Sequence, residues 1–319
     1  MTSVTRWVEV HRLAVAGGEA GIARDAGGRV GGVWLARSRF ADAARLAGLT
    51  LTLGEDARAL YQLGWAKDAT GDRAAALEYY GHALRLYRAA GDRRDEAATL
   101  SNIGGVYDGL GERQRALEYF GQALPILREV GDRAGEAATL SNIGGVYDSM
   151  GERQRALEYY GRALPIRREA GDRAGEAATL NNIGEVYRGL GERQRALEYY
   201  GQALPIVREV GDRAGEAATL NNIGGAYHGL GEPERALEYF GLALPIRREV
   251  GDRAGEAVTR YNVAMICRDQ GELGRAVAEL EQVVELDRQV SDPDLQSDTE
   301  MLRRVRQELA SSDPGRGSQ

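Results

Sequence analysis

Apolar residues along the chain fall into two stripes that return every 40 residues. The first stripe, seen at Leu180, Ile183, Gly184 and Tyr187, has the spacing i, i+3, i+4, i+7 of one face of an α-helix. The second stripe lies in residues 196–204 and has helical spacing too. Because only a short Gly-Glu turn separates the two stripes, the pattern predicts antiparallel helix pairs.

A single predicted pair has an apolar side that it cannot bury alone. The decapeptide GDRAGEAATL occurs unchanged at 131–140, 171–180 and 211–220, and with small changes at 91–100 and 251–260. Stacking the pairs would bury a continuous core. The period therefore predicts an all-α solenoid of antiparallel helix pairs. At the junctions, glycine suits the end of one helix and the following aspartate suits the N-cap of the next.

The period also predicts how the chain is organised. Residues 54–293 hold six 40-residue units, and residues 20–53 resemble a seventh, irregular unit. Residues 1–19 are predicted to contain a capping helix, and 294–310 form a closing helix with Met301, Leu302, Val305 and Leu309 on one side. The polar residues 311–319 are predicted to be a disordered tail.

A proline recurs inside the second helix of four units, at Pro125, Pro165, Pro205 and Pro245. A proline ring collides with the carbonyl four residues earlier, and that earlier residue is a glycine each time. Since apolar residues continue past each proline, the pattern predicts a bend within the helix and not its end. Pro293, which follows Asp292, suits instead the first position of a new helix.

The order of these residues resembles the signature of the tetratricopeptide repeat. The positions that carry the resemblance are Leu180, Ile183, Gly184, Tyr187, Ala196, Tyr200 and Ala203. The 40-residue period with Asn-Asn-Ile-Gly is similar to the variant found in kinesin light chains and in many bacterial regulators. The resemblance covers about residues 20–293. It implies a right-handed superhelix whose first helices line a concave groove that binds peptides or protein segments.

On the flank of the first-helix surface opposite the buried stripe, one position carries an amide in all six units: Gln62, Asn102, Asn142, Asn182, Asn222 and Asn262. Two further amides, Asn181 and Asn221, lie on that opposite surface itself. A carboxamide both donates and accepts, so a row of them can bind the main chain of an extended ligand. The resemblance implies the same, because peptide-binding members often hold asparagine there. The alternative is that each amide bonds to the neighbouring hairpin and sets only the repeat geometry.

Three groove positions change residue type along the chain. Bulky residues stand at Tyr61, Trp65, Tyr261 and Met265, where they could anchor apolar ligand side chains or cover the core of the end units. Between them this surface is mostly small, with Glu185 as an exception. The last position changes sign along the chain: Asp68, Asp108, Asp148, then Arg188, His228, Arg268. This order predicts a groove that is acidic first and basic later, unless the charges are ordinary solvated surface.

Composition and charge narrow the function classes. With 43% hydrophobic and 28% charged residues, the chain is of globular type. A net charge of −7 argues against nucleic acid or an anionic membrane surface as partner. Charged residues interrupt any signal-peptide core in residues 1–20, so we expect a cytoplasmic protein. Cys267 is the only cysteine, which excludes internal disulfides and a thiolate metal site.

No set of residues predicts catalysis. His11, His82 and His228 are too far apart in the repeat order to share a metal, and Walker and Gly-x-Ser-x-Gly motifs do not occur. We therefore expect a non-enzymatic scaffold, without cofactor or metal, that binds a protein or peptide in its groove. Two alternatives stay open. One is a ligand-sensing regulatory module that acts on a separate partner, and the other is a self-assembling array.

Overall fold

The structure, a computed structural model, describes residues 3–312, and every regular element within this range is an α-helix. The chain divides into two compact units, Met1–Ile166 and Arg167–Gln319, with the boundary inside α9. Within each unit, consecutive helices pack against one another. The predicted all-α class built from helix pairs is confirmed.

The first unit contains α1 (Ser3–Ala16), α2 (Ala20–Leu35), α3 (Phe40–Leu51), α4 (Ala57–Ala69), α5 (Arg73–Ala90), α6 (Arg93–Gly109), α7 (Arg113–Glu129), α8 (Arg133–Ser149) and most of α9 (Arg153–Glu169). From α4 onwards, each even-numbered helix up to α14 is the first helix of a hairpin and the following helix is its second. Leu100 and Leu140 from first helices pack in the core, as do Tyr80 and Phe120 from second helices. Both apolar stripes therefore face inwards.

The second unit contains the end of α9, then α10 (Arg173–Gly189), α11 (Arg193–Glu209), α12 (Arg213–Gly229), α13 (Pro233–Val250), α14 (Arg253–Asp269), α15 (Leu273–Val290) and α16 (Leu295–Ser312). Its largest core cluster joins Phe240, Ile266 and Leu280 to Leu302 and Val305 of α16. The last helix thus covers the apolar side of the last hairpin. Leu309, which was predicted to share this stripe, is instead exposed.

The junctions between hairpins follow the glycine–aspartate prediction. Gly211 has φ +71°, a left-handed conformation that a residue without a Cβ adopts at little cost. Asp212 caps α12, because its Oδ1 accepts a hydrogen bond from the backbone nitrogen of Gly215 at 2.8 Å. The same aspartate cap occurs at the start of α6, α8, α10 and α14.

A glycine in the first helix lets the two helices of a hairpin approach closely. A Cβ added to Gly104 would lie 2.7 Å from the Phe120 ring, and one added to Gly184 would lie 2.5 Å from the Tyr200 ring. These glycines belong to the Asn-Ile-Gly segment that recurs in four of the six units. Their role is packing, since the aromatic ring of the second helix occupies the space that a side chain would need.

The four internal prolines do not end their helices. Helices α7, α9, α11 and α13 continue past them, as predicted. The prediction for Pro293 is wrong, because α16 begins at Leu295 and Pro293 lies in the preceding turn. In that turn the backbone nitrogen of Asp294 donates to Asp292 Oδ1 at 2.9 Å. Of the predicted tail, residues 311 and 312 end α16, and 313–319 lie outside the described residues.

The repeated decapeptide also carries a buried glutamate that holds two arginines. Glu176 is 5% exposed and accepts hydrogen bonds from Arg168 Nε at 2.8 Å and Arg173 Nη1 at 2.6 Å. Burial alone would raise the pKa of Glu176, but the two guanidinium groups outweigh it and lower the pKa. Since Arg168 ends one second helix and Glu176 begins the next first helix, the ion pairs join consecutive hairpins. Equivalent pairs form at Glu96, Glu136 and Glu216.

Candidate ligand-binding cleft

In the second unit, the first helices α10, α12 and α14 enclose a cleft of about 550 Å³. A volume of this order can hold a small ligand or several residues of a peptide. We call it the amide cleft, because carboxamides form much of its wall. Its lining residues are Asn181, Asn182, Glu185, Arg188, Asn221, Asn222, Gly225, His228, Val258 and Asn262.

The amides of the cleft divide into two rows. Asn181 Nδ2 donates to Thr219 Oγ1 at 2.9 Å, and Asn221 Oδ1 accepts from Thr259 Oγ1 at 3.1 Å. This inner row links each first helix to the next. In the outer row, Asn182 is exposed and Asn222 half-buried, and neither amide bonds to another residue of the described part of the chain. The outer row therefore presents unused donors and acceptors to the cleft, and the buried, unbonded Oδ1 of Asn181 adds one more acceptor.

The charged residues of the amide cleft neutralise each other. Arg188 Nε donates to Glu185 Oε2 at 3.0 Å, and the Tyr200 hydroxyl donates to the same oxygen at 3.0 Å. Burial raises the pKa of Glu185, but the hydrogen bonds from Arg188 and Tyr200 bring it below its usual value. The site thus contains an ionised pair with no net charge.

The predicted basic half of the groove needs correction on this point. Besides Arg188, Arg268 is also paired, because Glu308 of α16 accepts from its Nε at 2.9 Å and from its Nη2 at 2.5 Å. His228 lies half-buried in the cleft wall. The prediction treated these side chains as free charges, whereas neighbouring carboxylates compensate both arginines.

In the first unit, two of the predicted amides have internal partners. Gln62 is 4% exposed and its Nε2 donates to the Gly28 carbonyl at 2.9 Å. Asn102 Nδ2 donates to the Tyr61 hydroxyl at 2.8 Å. For these two positions the structural alternative is correct. Asn142, which is exposed, has no hydrogen-bond partner among residues 3–312.

The bulky residues of the first unit border a smaller pocket of about 220 Å³. Trp65 is 38% exposed, and its ring lies edge-on to that of Tyr61 with 6.3 Å between centroids. Arg58, Tyr87 and Asp95 complete the wall. The aromatic end predicted for the groove is therefore a pocket of its own, beside the internally bonded Gln62 and Asn102.

The acidic positions of the first unit, Asp68, Asp108 and Asp148, are half-buried. Burial raises the pKa of Asp68, and the positive charge of Arg73 partly offsets this effect. Burial also raises the pKa of Tyr160, and the charges of Asp148 and Asp108 raise it further. Asp148 thus acts on a tyrosine of its own hairpin, and Asp108 acts on the same tyrosine from the preceding hairpin.

A second pocket in the second unit was not predicted. It measures about 280 Å³ and lies between α14, the end of α15 and the start of α16. Tyr261 and Asn262, two of the predicted groove residues, line it together with four aspartates: Asp287, Asp292, Asp294 and Asp298. We call it the acidic pocket. Its sequence signal is the group of aspartates between 287 and 298, just where the 40-residue period ends.

Asp287 is the buried member of the acidic pocket. It is 2% exposed, and its Oδ2 has no hydrogen-bond partner. Burial raises its pKa to about 6, with further contributions from Asp298, Asp292 and Asp294. The pKa of Asp298 is raised as well, again mainly by burial. Within residues 3–312, no salt bridge reaches any of the four carboxylates.

Residues 3–312 hold neither a metal site nor a membrane span. No group of three or more histidine, cysteine, aspartate or glutamate side chains has the arrangement of a metal site. His11 is buried and bonded to Thr50 Oγ1 at 2.9 Å, and Cys267 is buried, which raises the pKa of its thiol. No helix in this range is long and apolar enough to cross a membrane.

Solved structures of similar fold cover nearly the whole chain. The apo form of RapI has a TM-score of 0.65 at 19% identity, over 82% of this chain and 96% of that chain. A Rap protein complexed with competence and sporulation factor has a TM-score of 0.61 at 16% identity, over 97% of this chain and 98% of that chain. Aspartyl phosphate phosphatase F from Bacillus subtilis has a TM-score of 0.63 at 16% identity, over 86% of this chain and 73% of that chain. At these identities the likeness concerns the fold alone.

Sequence comparison identifies the family. No curated protein matches the chain. The tetratricopeptide repeat model, however, matches five overlapping segments, at 55–129, 95–169, 135–209, 175–249 and 215–289. Together these segments run without a gap from residue 55 to residue 289, which is well over half of the sequence. The chain therefore belongs to the tetratricopeptide repeat family.

Proposed function

We propose that this protein is a non-enzymatic scaffold that binds a peptide or an extended protein segment in the amide cleft. The observation that carries the proposal is the outer row, Asn182 and Asn222. These amides lie one unit apart, line one cleft and have no hydrogen-bond partner in the described chain. Polar groups that line a cleft and bond to nothing in the protein are available to a ligand.

An extended main chain fits this arrangement well. It presents alternating N–H and C=O groups and advances about 3.3 Å per residue, so amides from successive units can each meet a backbone group. A carboxamide satisfies either group, which allows binding with little dependence on ligand sequence. The neutral Glu185–Arg188 pair adds a fixed polar edge without a net charge that would attract small ions.

The comparisons support binding only in general terms. One structural neighbour is a Rap protein complexed with competence and sporulation factor, so a similar fold holds a ligand there. Another is named as a phosphatase. Fold likeness at 16% identity transfers no activity. The residues of the amide cleft include no nucleophile paired with a base, which favours binding over catalysis.

The test selects peptides from a random library on the full chain and measures their affinity for two double variants. Asn182→Ala with Asn222→Ala removes the outer row. Gln154→Ala with Gln194→Ala is the matched control, because these exposed amides on second helices make no hydrogen bond within residues 3–312. At about 1 kcal/mol per hydrogen bond, we expect the first double variant to bind roughly 30-fold more weakly.

Thermal unfolding separates a binding role from a structural one. We expect both double variants to melt close to the parent protein, since none of the four amides bonds within the described chain. Equal affinity of the selected peptides for the parent and for Asn182→Ala with Asn222→Ala would refute the proposal. Unfolding of that variant would assign the outer row to the architecture.

A further inference from the structure

The acidic pocket combines a high density of negative charge with no internal cation. Four aspartates from the end of α15, the following turn and the start of α16 line about 280 Å³, and none of them makes a salt bridge with a described residue. Everywhere else in the second unit, buried carboxylates are paired. Glu176 and Glu216 each hold two arginines, and Glu256 holds Arg248 and Arg260.

The burial of Asp287 gives this lack of a cation a cost in free energy. Its side chain is 2% exposed, lines the pocket and leaves Oδ2 without a hydrogen bond. A buried carboxylate costs free energy unless a cation or several donors compensate it. The three neighbouring aspartates add repulsion, and Asp298 can hydrogen-bond to Asp287 only while one of the two carboxyls is protonated. The free protein therefore lacks a positively charged donor at this place.

The shape of the pocket indicates which cation fits. Residues 3–312 contain no carboxylate group with the arrangement of a metal site, so a bare metal ion is a poor match. One wall is formed by Ala257, Val258 and the Tyr261 ring, which suits a flat organic cation. A guanidinium offers five N–H donors in one plane and can bond to several carboxylates together, which an ammonium on a flexible stem does less well.

The acidic pocket also adjoins the amide cleft. Val258 and Asn262 line both. A chain lying along the amide cleft can thus place one side chain in the acidic pocket. We propose that the acidic pocket binds the guanidinium of an arginine in the peptide ligand, with Asp287 and Asp298 as its principal acceptors. The link to a peptide rests on the proposed function, whereas the guanidinium site itself can be tested without a peptide.

The first arm of the test uses N-acetyl-arginine amide as probe and the citrulline analogue as its neutral isostere. Binding to the full chain is followed by NMR at low salt. We expect saturable binding of the arginine probe alone, weakened by added salt. In Asp287→Asn with Asp298→Asn, the affinity should fall on the order of tenfold or more. Glu198→Gln with Glu238→Gln, two exposed sites in the same unit, gives the same change in charge and should leave the affinity unaltered.

The outcomes are distinct. Equal binding of the citrulline analogue, or unchanged affinity in the aspartate double variant, overturns the proposal. Tighter binding of the corresponding lysine probe overturns the choice of guanidinium. Since replacing a repelled aspartate with asparagine relieves repulsion, the variant should remain folded, and the single variant Asp294→Asn at an exposed site gives a second measurement. We expect Asp294→Asn to lower the affinity for the arginine probe by a smaller factor than the double variant does.

The second arm uses the peptides selected on the parent protein. Arginine should be enriched at one position, and its replacement by citrulline should weaken binding to the parent but not to Asp287→Asn with Asp298→Asn. If peptides bind without any preference for arginine, the acidic pocket proposal fails while the proposed function stands. If the arginine probe binds but no peptide does, the guanidinium site stands and the proposed function fails.

Discussion

The same repeat position is bonded inside the protein in some hairpins and unbonded in others. In the first unit, the amides of Gln62 and Asn102 have internal partners, while in the second unit those of Asn182 and Asn222 do not. The partner decides the role. Asn102 donates to the long side chain of Tyr61, which lies 41 residues earlier in the chain. The residue 41 positions before Asn222 is Asn181, whose amide is bonded to Thr219. The pairing also varies within each unit, because Asn142 has no hydrogen-bond partner among residues 3–312 and Asn262 Nδ2 donates to Asn221 Oδ1 at 3.5 Å.

Buried carboxylates show a second contrast within the second unit. Glu176 lies between two arginines and its pKa is lowered, whereas Asp287 lies among aspartates and its pKa is raised to about 6. Both side chains are almost fully buried. The first stabilises the folded state when it is ionised, and the second destabilises it. Two arginines compensate the buried charge of Glu176, whereas no described cation compensates that of Asp287.

The largest expected effect comes from Asp287. Its pKa in the folded state is about 6, against about 3.9 in an unfolded chain. Between these values the folded state binds more protons, so stability falls as the pH rises, and the full penalty of about 2–3 kcal/mol is present above pH 6. Asp287→Asn removes the ionising group. We therefore expect urea unfolding to show a variant more stable than the parent by about that amount at pH 7.5, and little difference near pH 4.

The groups that face Asp287 are Asp292 and Asp294 from the turn and Asp298 from α16, while α14 contributes Tyr261 and Asn262. Glu238→Gln, an exposed change of the same charge, is the control and should show no such pH dependence. An Asp287→Asn variant that is less stable than the parent at pH 7.5 would mean that its carboxylate has a cationic partner in the folded chain.

Glu176→Gln should lower the stability of the protein, the opposite of the effect expected for Asp287→Asn. The folded-state pKa of Glu176 is depressed, so its contribution is present above an unfolded pKa of about 4.3 and is lost as the pH falls through the folded value. Replacing it leaves Arg168 and Arg173 without their shared acceptor. We expect a loss of about 1–3 kcal/mol at pH 7 in urea unfolding, and a smaller loss at pH 3. Stability unchanged at pH 7 would show that the ion pairs between hairpins contribute nothing.

The helices and their junctions could be predicted from the sequence because they depend on local spacing. Helical periodicity, the Gly211–Asp212 junction and the continuation of α11 past Pro205 all follow from residues within a few positions of each other. Many similar copies of the unit reinforced each local signal. The tetratricopeptide repeat assignment rests on the same pattern and is confirmed by the family model.

The candidate site was predictable only in part, because it depends on distant residues. Helical geometry placed Asn182 and Asn222 on the flank of the surface opposite the core stripe, and both line the amide cleft. The internal partner of Asn102 lies 41 residues away and could not be read from spacing. The acidic pocket combines the last hairpin with α16, at the place where the period ends, so no repeat position indicated it. Glu185 and Arg188 lie three residues apart on one helix, a signal for an ion pair that the prediction of a basic half overlooked.

Asn102→Ala and Asn222→Ala test directly whether the bonded amide of one unit and the unbonded amide of the other differ in role. Asn102→Ala removes a hydrogen bond and leaves the Tyr61 hydroxyl without this donor. Burial of that hydroxyl already raises its pKa. We expect a loss of about 1 kcal/mol, and a coupling of similar size with Tyr61→Phe in a double-mutant cycle. Asn222→Ala should change stability by less than about 0.5 kcal/mol. Equal losses in the two single variants would remove the distinction between the units.

The smallest expected effect concerns the end of the last hairpin, beside the acidic pocket. Ser291, which follows the last residue of α15, has φ 55°, whereas the residue that follows α13 is Gly251, with φ 72°. A side chain in this left-handed conformation costs free energy that glycine avoids, so the last hairpin gives up stability at the turn that places Asp292 and Asp294. Ser291→Gly should raise the unfolding free energy by roughly 0.5–1 kcal/mol, as measured by urea unfolding. Gly251→Ser should lower it by a similar amount, and a Ser291→Gly variant less stable than the parent would show that the serine hydroxyl supports the turn.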